Sequence, residues 1–497
     1  MRAAKLRTMA ERAFKWSALT TAGRFALQLV AQVVLARLLG PGNYGVYGIG
    51  MVVLTFASFL SGNAFSYSLM LKKEVDEDDV RFAFTWQAVA AVLSGIALFA
   101  LSEPLAGFFG DARVQPMLQW MAVACVLLGL QGPANCLLSR ELNFRALGLI
   151  QLGSYAAGYL MVGVPLAMQG FEAQALAAAC VVQAGVALAA TYAVRPHSLK
   201  PLFRHHTSAE TFDTGRTVFF TNIVNWLLTN VDRIVIGRMV GTHAVGLYNV
   251  AYNFASIPYV LLINSLQPTF LAAGAKLQDD LRQLGQAWLT MLACVLVFLV
   301  PAAVLMSMLA GDLVLVLYGQ AWGEAGWVMA VLFLCLPAWS CLGLSTPVLW
   351  NTRRKHLEAM LQLPLLAAVL PLWWLLAPLG IRAVVIASAF LILARSVIVV
   401  AAVLRALELT WRDLAPFALR GLALGAFCGV AVLLGRQLVS PLGHPLATLV
   451  IEGCTGFGAL LALAIARPQV LGPEARGVLS RLIPAFAPRW AAPEARP

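Results

Sequence analysis

The sequence predicts an all-α integral membrane protein of about fourteen transmembrane helices, and three observations predict it. Of the 497 residues, 60% are hydrophobic and only 12% charged, whereas soluble domains sit nearer half apolar and a quarter charged. Apolar runs such as Met291–Leu309 continue unbroken for close to the roughly 20 residues that cross a bilayer as a helix, with every backbone polar group bonded inside its own segment. A β-barrel would instead alternate polar and apolar positions in strands of about 10 residues. Finally, Lys and Arg gather in every second connection between the apolar runs, as cytoplasmic loops require.

Taken in order, the chain opens on a basic cytoplasmic N-terminus, residues 1–13, with Arg2, Lys5, Arg7 and Arg12, and Lys15 just beyond. It lacks a small-residue cleavage site and is expected to be retained. Six spans then form an N-lobe over 14–195, at roughly 14–38, 44–70, 82–103, 115–139, 147–168 and 172–195. The cytoplasmic inter-lobe loop 196–213 is the longest connection. A C-lobe of six spans follows over 214–404, at roughly 214–240, 244–272, 285–310, 325–350, 357–378 and 381–404. Two further helices occupy 414–467, at about 414–437 and 444–467, and the Pro-, Ala- and Arg-rich stretch 468–497 reads as a loosely ordered cytoplasmic tail. With the N-terminus inside, the cytoplasmic connections and ends hold twenty-five Lys and Arg, against Arg37, Arg113, Arg238, Arg382 and Arg436 on the opposite side. A single missed helix would scramble that asymmetry, so the formal charge of +12 reports topology rather than a nucleic-acid partner. The eight cysteines all fall in apolar segments without C-x-x-C spacing and read as packing residues. The acidic cluster Glu74, Asp76, Glu77, Asp78 and Asp79 reads as a solvated face.

An internal repeat divides the first twelve helices. Arg37-Leu-Leu-Gly40-Pro-Gly-Asn-Tyr-Gly45-Val-Tyr47 aligns with Arg238-Met-Val-Gly241-Thr-His-Ala-Val-Gly246-Leu-Tyr248 as R-x-x-G-x4-G-x-Y, at an offset of 201 residues. Six helices separate the copies, an even number, so the two halves point the same way. They are expected to be two six-helix lobes related by a pseudo-two-fold axis along the membrane normal, one known transporter design. The glycines suit a tight turn and close helix approach.

No enzymatic constellation is present: the six histidines lie in loops or near helix ends, and H-E-x-x-H, G-x-S-x-G and phosphate-binding G-x-x-x-x-G-K-[ST] patterns are missing. No cofactor or metal is expected. Polar groups at membrane depth are the candidates, because they are costly there and face an interior or a water-filled cavity. Ser17, Thr21, Arg24, Gln28 and Gln32 share one face of the first helix, and Asn222, Asn225, Thr229 and Asp232 share one face of the seventh, with Arg233 adjacent. The eighth adds Tyr248, Tyr252, Ser256 and Tyr259; Arg395 lies in the twelfth and Glu452 in the fourteenth. Each has a structural alternative. Arg24 could snorkel to the cytoplasm, Asp232 and Arg233 could form an ion pair, Tyr252 could simply pack, and Arg395 and Glu452 are weaker candidates. A guanidinium in a low-dielectric cavity suits a diphosphate through its paired donors, which favours an anionic cargo.

Leu35–Tyr47, and Asn230–Gly241 followed by Val245-Gly-Leu-Tyr248, resemble the polysaccharide transporter family of Wzx-type flippases. That family lies within the multidrug, oligosaccharidyl-lipid and polysaccharide exporter superfamily, and the chain is most similar to its lipopolysaccharide- and colanic-acid-type exporters. The resemblance implies two lobes around a central cavity, often with two extra C-terminal helices. It also implies transport of polyprenyl-diphosphate-linked oligosaccharide across the bacterial inner membrane for exopolysaccharide, capsule or O-antigen assembly. Alternating access is the expected mechanism. Arg24 matches the cavity arginine that holds the diphosphate, with Arg233 second. The partners implied are the lipid-linked oligosaccharide, membrane lipid and polymerase or assembly proteins. The coupling ion, H+ or Na+, stays open, with Asp232 as the carboxylate for it. A cation-coupled drug antiporter would favour acidic cavity residues over these basic ones. A membrane-embedded glycan polymerase or ligase would bring a sizeable periplasmic loop.

Overall fold

The computed structural model describes residues 2–61, 75–204, 226–278, 280–352, 356–439 and 445–482 with a few isolated positions between them, and no strand occurs among the described residues. The chain divides into two compact units, Met1–Gly246 and Leu247–Pro497.

The first unit starts with α1, Arg2–Leu60, broken at Gly40 (φ 71°, ψ 171°). Glycine alone enters that left-handed region cheaply, and Pro41 restarts the helix where a missing N–H costs nothing. The break has a dimensional reason. The apolar part, Thr20–Leu60, has 41 residues, about 60 Å of helix, twice the hydrocarbon thickness. Next come α2 (Glu77–Ala100), the short α3 (Ser102–Phe109) ended by left-handed Gly110, and α4 (Val114–Arg140). α5 (Phe144–Tyr155) runs through a π-helical stretch, Ala156–Gly163, into α6 (Val164–Met168), and α7 spans Glu172–Val194. A helix over 226–239, α8, leads to α9 (Thr242–Ala255), which crosses into the second unit.

Part of the acidic cluster has a folding role that composition did not reveal. Asp76 caps α2 and exchanges bonds with Asp79 in a capping box, and the buried Asp79 also pairs with Lys72. Acidic side chains in a first turn also meet the positive end of the helix dipole.

The second unit continues with α10 (Ile257–Ala275), α11 (Leu281–Tyr318), α12 (Gly323–Leu334), α13 (Leu336–Asn351), α14 (His356–Leu376), α15 (Ile381–Ala406), α16 (Trp411–Val439), α17 (Pro445–Ala466) and α18 (Gly472–Leu482). Its core is a continuous apolar cluster around Trp288, Leu292, Leu344, Val348 and Val403. α16 lies close on α11 because Gly421, Gly425 and Gly429 form a small-residue stripe: a Cβ on Gly421 would come within 2.7 Å of the Leu296 carbonyl oxygen, and one on Gly425 within 3.2 Å of Val304. Small residues at every fourth position let backbones approach, which drives helix association where lipid tails compete for apolar contacts.

Both units solve the same problem with the same parts. Pro133 in α4 has no N–H to give the carbonyl four residues back, at Gly129, and the fully buried Gln87 of α2 donates its amide there at 2.8 Å while accepting from Ser66. In α13, Pro347 frees the carbonyl of Gly343, and Gln267 of α10 donates to it at 3.1 Å. Without such a partner a carbonyl in hydrocarbon costs several kcal/mol.

Ten described helices are long and apolar enough to cross a membrane, or eleven if the pair Gln320–Leu334 and Leu336–Asn351, bent by 43°, is one span. Three places separate this from the fourteen expected. One 41-residue stretch is broken at Gly40. The eighth span is divided at Ser256, before Pro258, into α9 and α10. The first part of the seventh span lies outside the described residues.

Candidate functional site

The first helix brings Arg24 to a specific partner. Its Nη1 donates to Gln151 Oε1 of α5 at 2.9 Å, and its Nε is buried without a hydrogen-bond partner among the described residues. Gly148 of α5 creates the space: a Cβ there would collide with the Thr20 side chain. Arg145, on the same helix, lies 4.8 Å from the Trp16 ring centroid. Thr21, Gln28 and Gln32 are half-buried along the stripe, and the side chain of Ser17 lies outside the described residues.

On α8 three hydrogen bonds join neighbouring residues. Arg233 Nη1 donates to Asn230 Oδ1 at 2.7 Å, the Asp232 carboxylate accepts the Arg233 backbone N–H at 2.8 Å, and Asn230 donates to Thr229 Oγ1 at 3.0 Å. Trp226, one turn earlier, meets Phe56 of α1 with ring centroids 4.9 Å apart. Asn222 and Asn225 lie outside the described residues.

The two copies of the repeat motif touch. A Cβ on Gly45 would collide with the Thr242 carbonyl, and one on Gly246 with the Pro41 carbonyl. Pro41 corresponds to Thr242, and Gly45 to Gly246, under the 201-residue offset, so the contact is a local two-fold. The other motif glycines, Gly40 and Gly241, both have positive φ, 71° and 112°, and start the crossing helices. Arg238 donates to the Phe108 carbonyl at 2.7 Å and lies over the Phe108 ring, while Arg37 is exposed. The motif tyrosines each begin an aromatic cluster within their own unit. Tyr47 bonds the Tyr159 hydroxyl, and Tyr159 stacks on Tyr155 at 4.5 Å. Tyr248 adjoins Tyr252, and Tyr252 and Tyr259 meet Trp339 at 5.4 and 5.9 Å. Arg395 donates to the buried Gln362 from Nε at 2.9 Å.

A polar latch, not anticipated from the sequence, surrounds the crossing. Asp111, between α3 and α4, accepts Arg113 Nε at 3.1 Å on one oxygen and Nη2 at 2.8 Å on the other. The second oxygen also accepts the Thr242 hydroxyl at 2.8 Å, and Arg113 Nη1 donates to Asn43 at 3.1 Å. Both copies of the motif are thus tied to one turn. Burial pushes the Asp111 carboxyl up, but hydrogen bonds from the Arg113 and Thr242 side chains and the Arg113 backbone outweigh it and hold the group below 3.8. Arg113 is raised in turn, first by its bond to Asp111.

A separate cavity of about 690 Å³ opens at the ends of α2, α4 and α7, lined by Asp76, Arg140, Glu141, Arg195 and His197 among others. Arg195 and Glu141 pair at 2.7 Å, and burial lowers His197 below 6.5.

These features define a multi-pass helical membrane protein. Its fold is that of "Lipid II flippase MurJ, inward closed conformation" (TM-score 0.67, 13% identity, 90% of this chain and 99% of that one). It is also that of an inward-facing multidrug resistance MATE family transporter (TM-score 0.62, 11% identity, 79% and 98%). The polysaccharide biosynthesis protein family matches over residues 34–326, and the chain belongs to that family, in agreement with the resemblance carried by the repeat motifs. Among curated relatives it is 27% identical to the succinoglycan biosynthesis transport protein ExoT of Rhizobium meliloti over 64% of each chain. It is 25% identical to the lipopolysaccharide biosynthesis protein WzxC of Escherichia coli over 62% of this chain and 63% of that one. The matches therefore span a little under two thirds of those relatives' lengths.

Proposed function

We propose that the chain is a carrier, not an enzyme, that moves polyprenyl-diphosphate-linked oligosaccharide across the bacterial inner membrane by alternating access, with both termini cytoplasmic. The observation that carries this reading is Arg24: a half-buried guanidinium on an apolar helix, held by Gln151 and with donors to spare. A planar fork of donors in a low-dielectric setting is what a diphosphate needs. Arg233 and Thr229 are further polar groups on α8, and separately, within the second unit, the Tyr252, Tyr259 and Trp339 rings cluster with faces of the kind that stack on sugars. ExoT and WzxC, whose names place them in succinoglycan transport and lipopolysaccharide biosynthesis, support a glycan cargo. The name of the lipid II flippase supports one linked to a lipid.

The test is a conditional deletion in which lipid-linked repeat units are followed by leaflet. They are expected to accumulate on the cytoplasmic face, and unchanged arrival at the outer face would refute the reading. Arg24→Ala is expected to lower transport at least ten-fold with normal protein levels. Arg24→Lys, which keeps the charge but not the fork, is expected to fall between the two. Full polymer production by Arg24→Ala would leave Arg24 a packing role.

A further inference from the structure

We infer that Glu452 of α17, with Asp312 of α11 and Arg436 of α16, forms a membrane site that reversibly binds one proton on the Glu452 carboxylate. The three residues come together at one end of their helices. Glu452 lies seven residues into α17, Asp312 six residues before the end of α11, and Arg436 three before the end of α16. With a rise of about 1.5 Å per residue, Glu452 sits roughly 10 Å inside its span. An arginine this near a helix end ordinarily extends outward to water. Arg436 keeps 55% of its side chain exposed and still reaches the carboxylates, its Nε 3.0 Å from Glu452 Oε1 and its Nη2 3.8 Å from Asp312 Oδ2.

Counting charges shows what the cluster lacks. Two carboxylates share one guanidinium, so the fully ionised group carries a net negative charge, and its Glu452 carboxylate lies in the apolar interior. Glu452 is 0% exposed. The approach of Arg436 to Oε1 is close but not aligned as a hydrogen bond, and Oε2 has no partner among the described residues. The neighbouring donors are engaged elsewhere, Thr455 with the Glu452 backbone carbonyl and the Cys428 thiol with that of Gly456. Leu305, Leu309 and Val432 surround the adjoining turns. Among the described residues, the charged groups facing Glu452 are Asp312 from α11 and Arg436 from α16, with the Cys428 thiol of α16 one turn away against Gly456. A buried carboxylate oxygen without a donor is costly, and one proton on Oε2 removes the cost by leaving Asp312 and Arg436 as a neutral pair. The site alternates between that neutral state and a state of charge −1 in which Arg436 is shared. Its use as the coupling site for transport rests on the carrier reading above; proton binding itself does not.

The test reads binding without transport. Purified full-length protein in detergent is treated with dicyclohexylcarbodiimide, which modifies protonated carboxyls in apolar surroundings, between about pH 5 and pH 9, and adducts are located by peptide mass spectrometry. An adduct on Glu452 is expected, its initial rate falling about ten-fold per pH unit on the alkaline limb. Glu452→Gln is expected to lose it. Arg436→Gln, which withdraws the cation holding the ionised form, is expected to move the limb to higher pH. If Glu452→Gln does not fold, the wild-type profile and the Arg436→Gln shift decide the question. An absent or pH-independent adduct in folded protein would overturn the proposal. So would protection by sodium chloride, but not by choline chloride, at fixed pH, which would make this a sodium site.

Discussion

At the scale of single residues, Asp111 carries the most testable electrostatics. Its carboxyl is held below 3.8 by Arg113 and Thr242 despite burial. A carboxyl lowered on folding adds stability that is complete above its unfolded value and is lost as pH falls through the folded one. Thermal unfolding in detergent should therefore show wild type above Asp111→Asn by a constant margin at neutral pH, a margin that begins to narrow below about pH 4. A margin as wide at pH 3 as at neutral pH would mean that the carboxylate charge is not what holds the turn. His197 works in the same direction over a different range. Burial lowers it below 6.5, so the folded state loses stability as pH drops below 6.5, and His197→Phe should remove that part of the acid sensitivity. The sequence exposed neither role. Arg113 counted there as one of five basic residues on the outer side, because a latch joining residues 43, 111, 113 and 242 leaves no local pattern in the chain. Arg24, by contrast, stands out in the sequence as a candidate, since a cation at membrane depth is rare. Its partner Gln151 does not.

At the scale of elements, the chain announces its breaks and hides their repair. Pro133 and Pro347 are visible as helix interruptions, but the amides that satisfy the freed carbonyls, Gln87 and Gln267, sit on other helices. Gln87→Leu keeps the volume and removes the donor. It should lower stability by about 1–3 kcal/mol, the cost of leaving a buried acceptor unmet, read as a drop in Tm, whereas the conservative Gln87→Asn should recover part of it only if the shorter amide still reaches Gly129. The repeat motif shows the same asymmetry. Its glycines could be read as turn and approach residues, and the positive φ values of Gly40 and Gly241 supply the turn. That Gly45 and Gly246 approach each other was beyond reach, because periodicity describes one helix and this contact joins positions 201 apart. Gly45→Ala and Gly246→Ala each place a methyl against a backbone carbonyl, which cannot swing aside as a side chain would. Each should cost about 1–3 kcal/mol from overpacking. The double variant should cost less than the sum, since both displace the same crossing.

At the scale of the whole molecule, hydropathy and charge made the helical membrane class legible, because a bilayer imposes length and apolarity on every span. Transport demands something those signals cannot carry, a contact that is made in one state and broken in another. The crossing of the two motif copies, with Asp111, Arg113, Asn43 and Thr242 around it, has the composition for that. It joins segments that belong to different repeats, its glycine surfaces part without tearing apolar packing, and its polar rim can exchange partners with water. If the carrier proposed above works by alternating access through this crossing, the contact opens once per cycle. Cysteines at 111 and 242, placed in a variant whose eight native cysteines are replaced, would be bridged by a short bifunctional methanethiosulfonate. Leaflet transfer of lipid-linked oligosaccharide should then fall to background and return on reduction. The same reagent on either single-cysteine variant should leave transfer unchanged. Continued transfer by a fully bridged protein would mean that the crossing is a static joint and that the moving contact lies elsewhere.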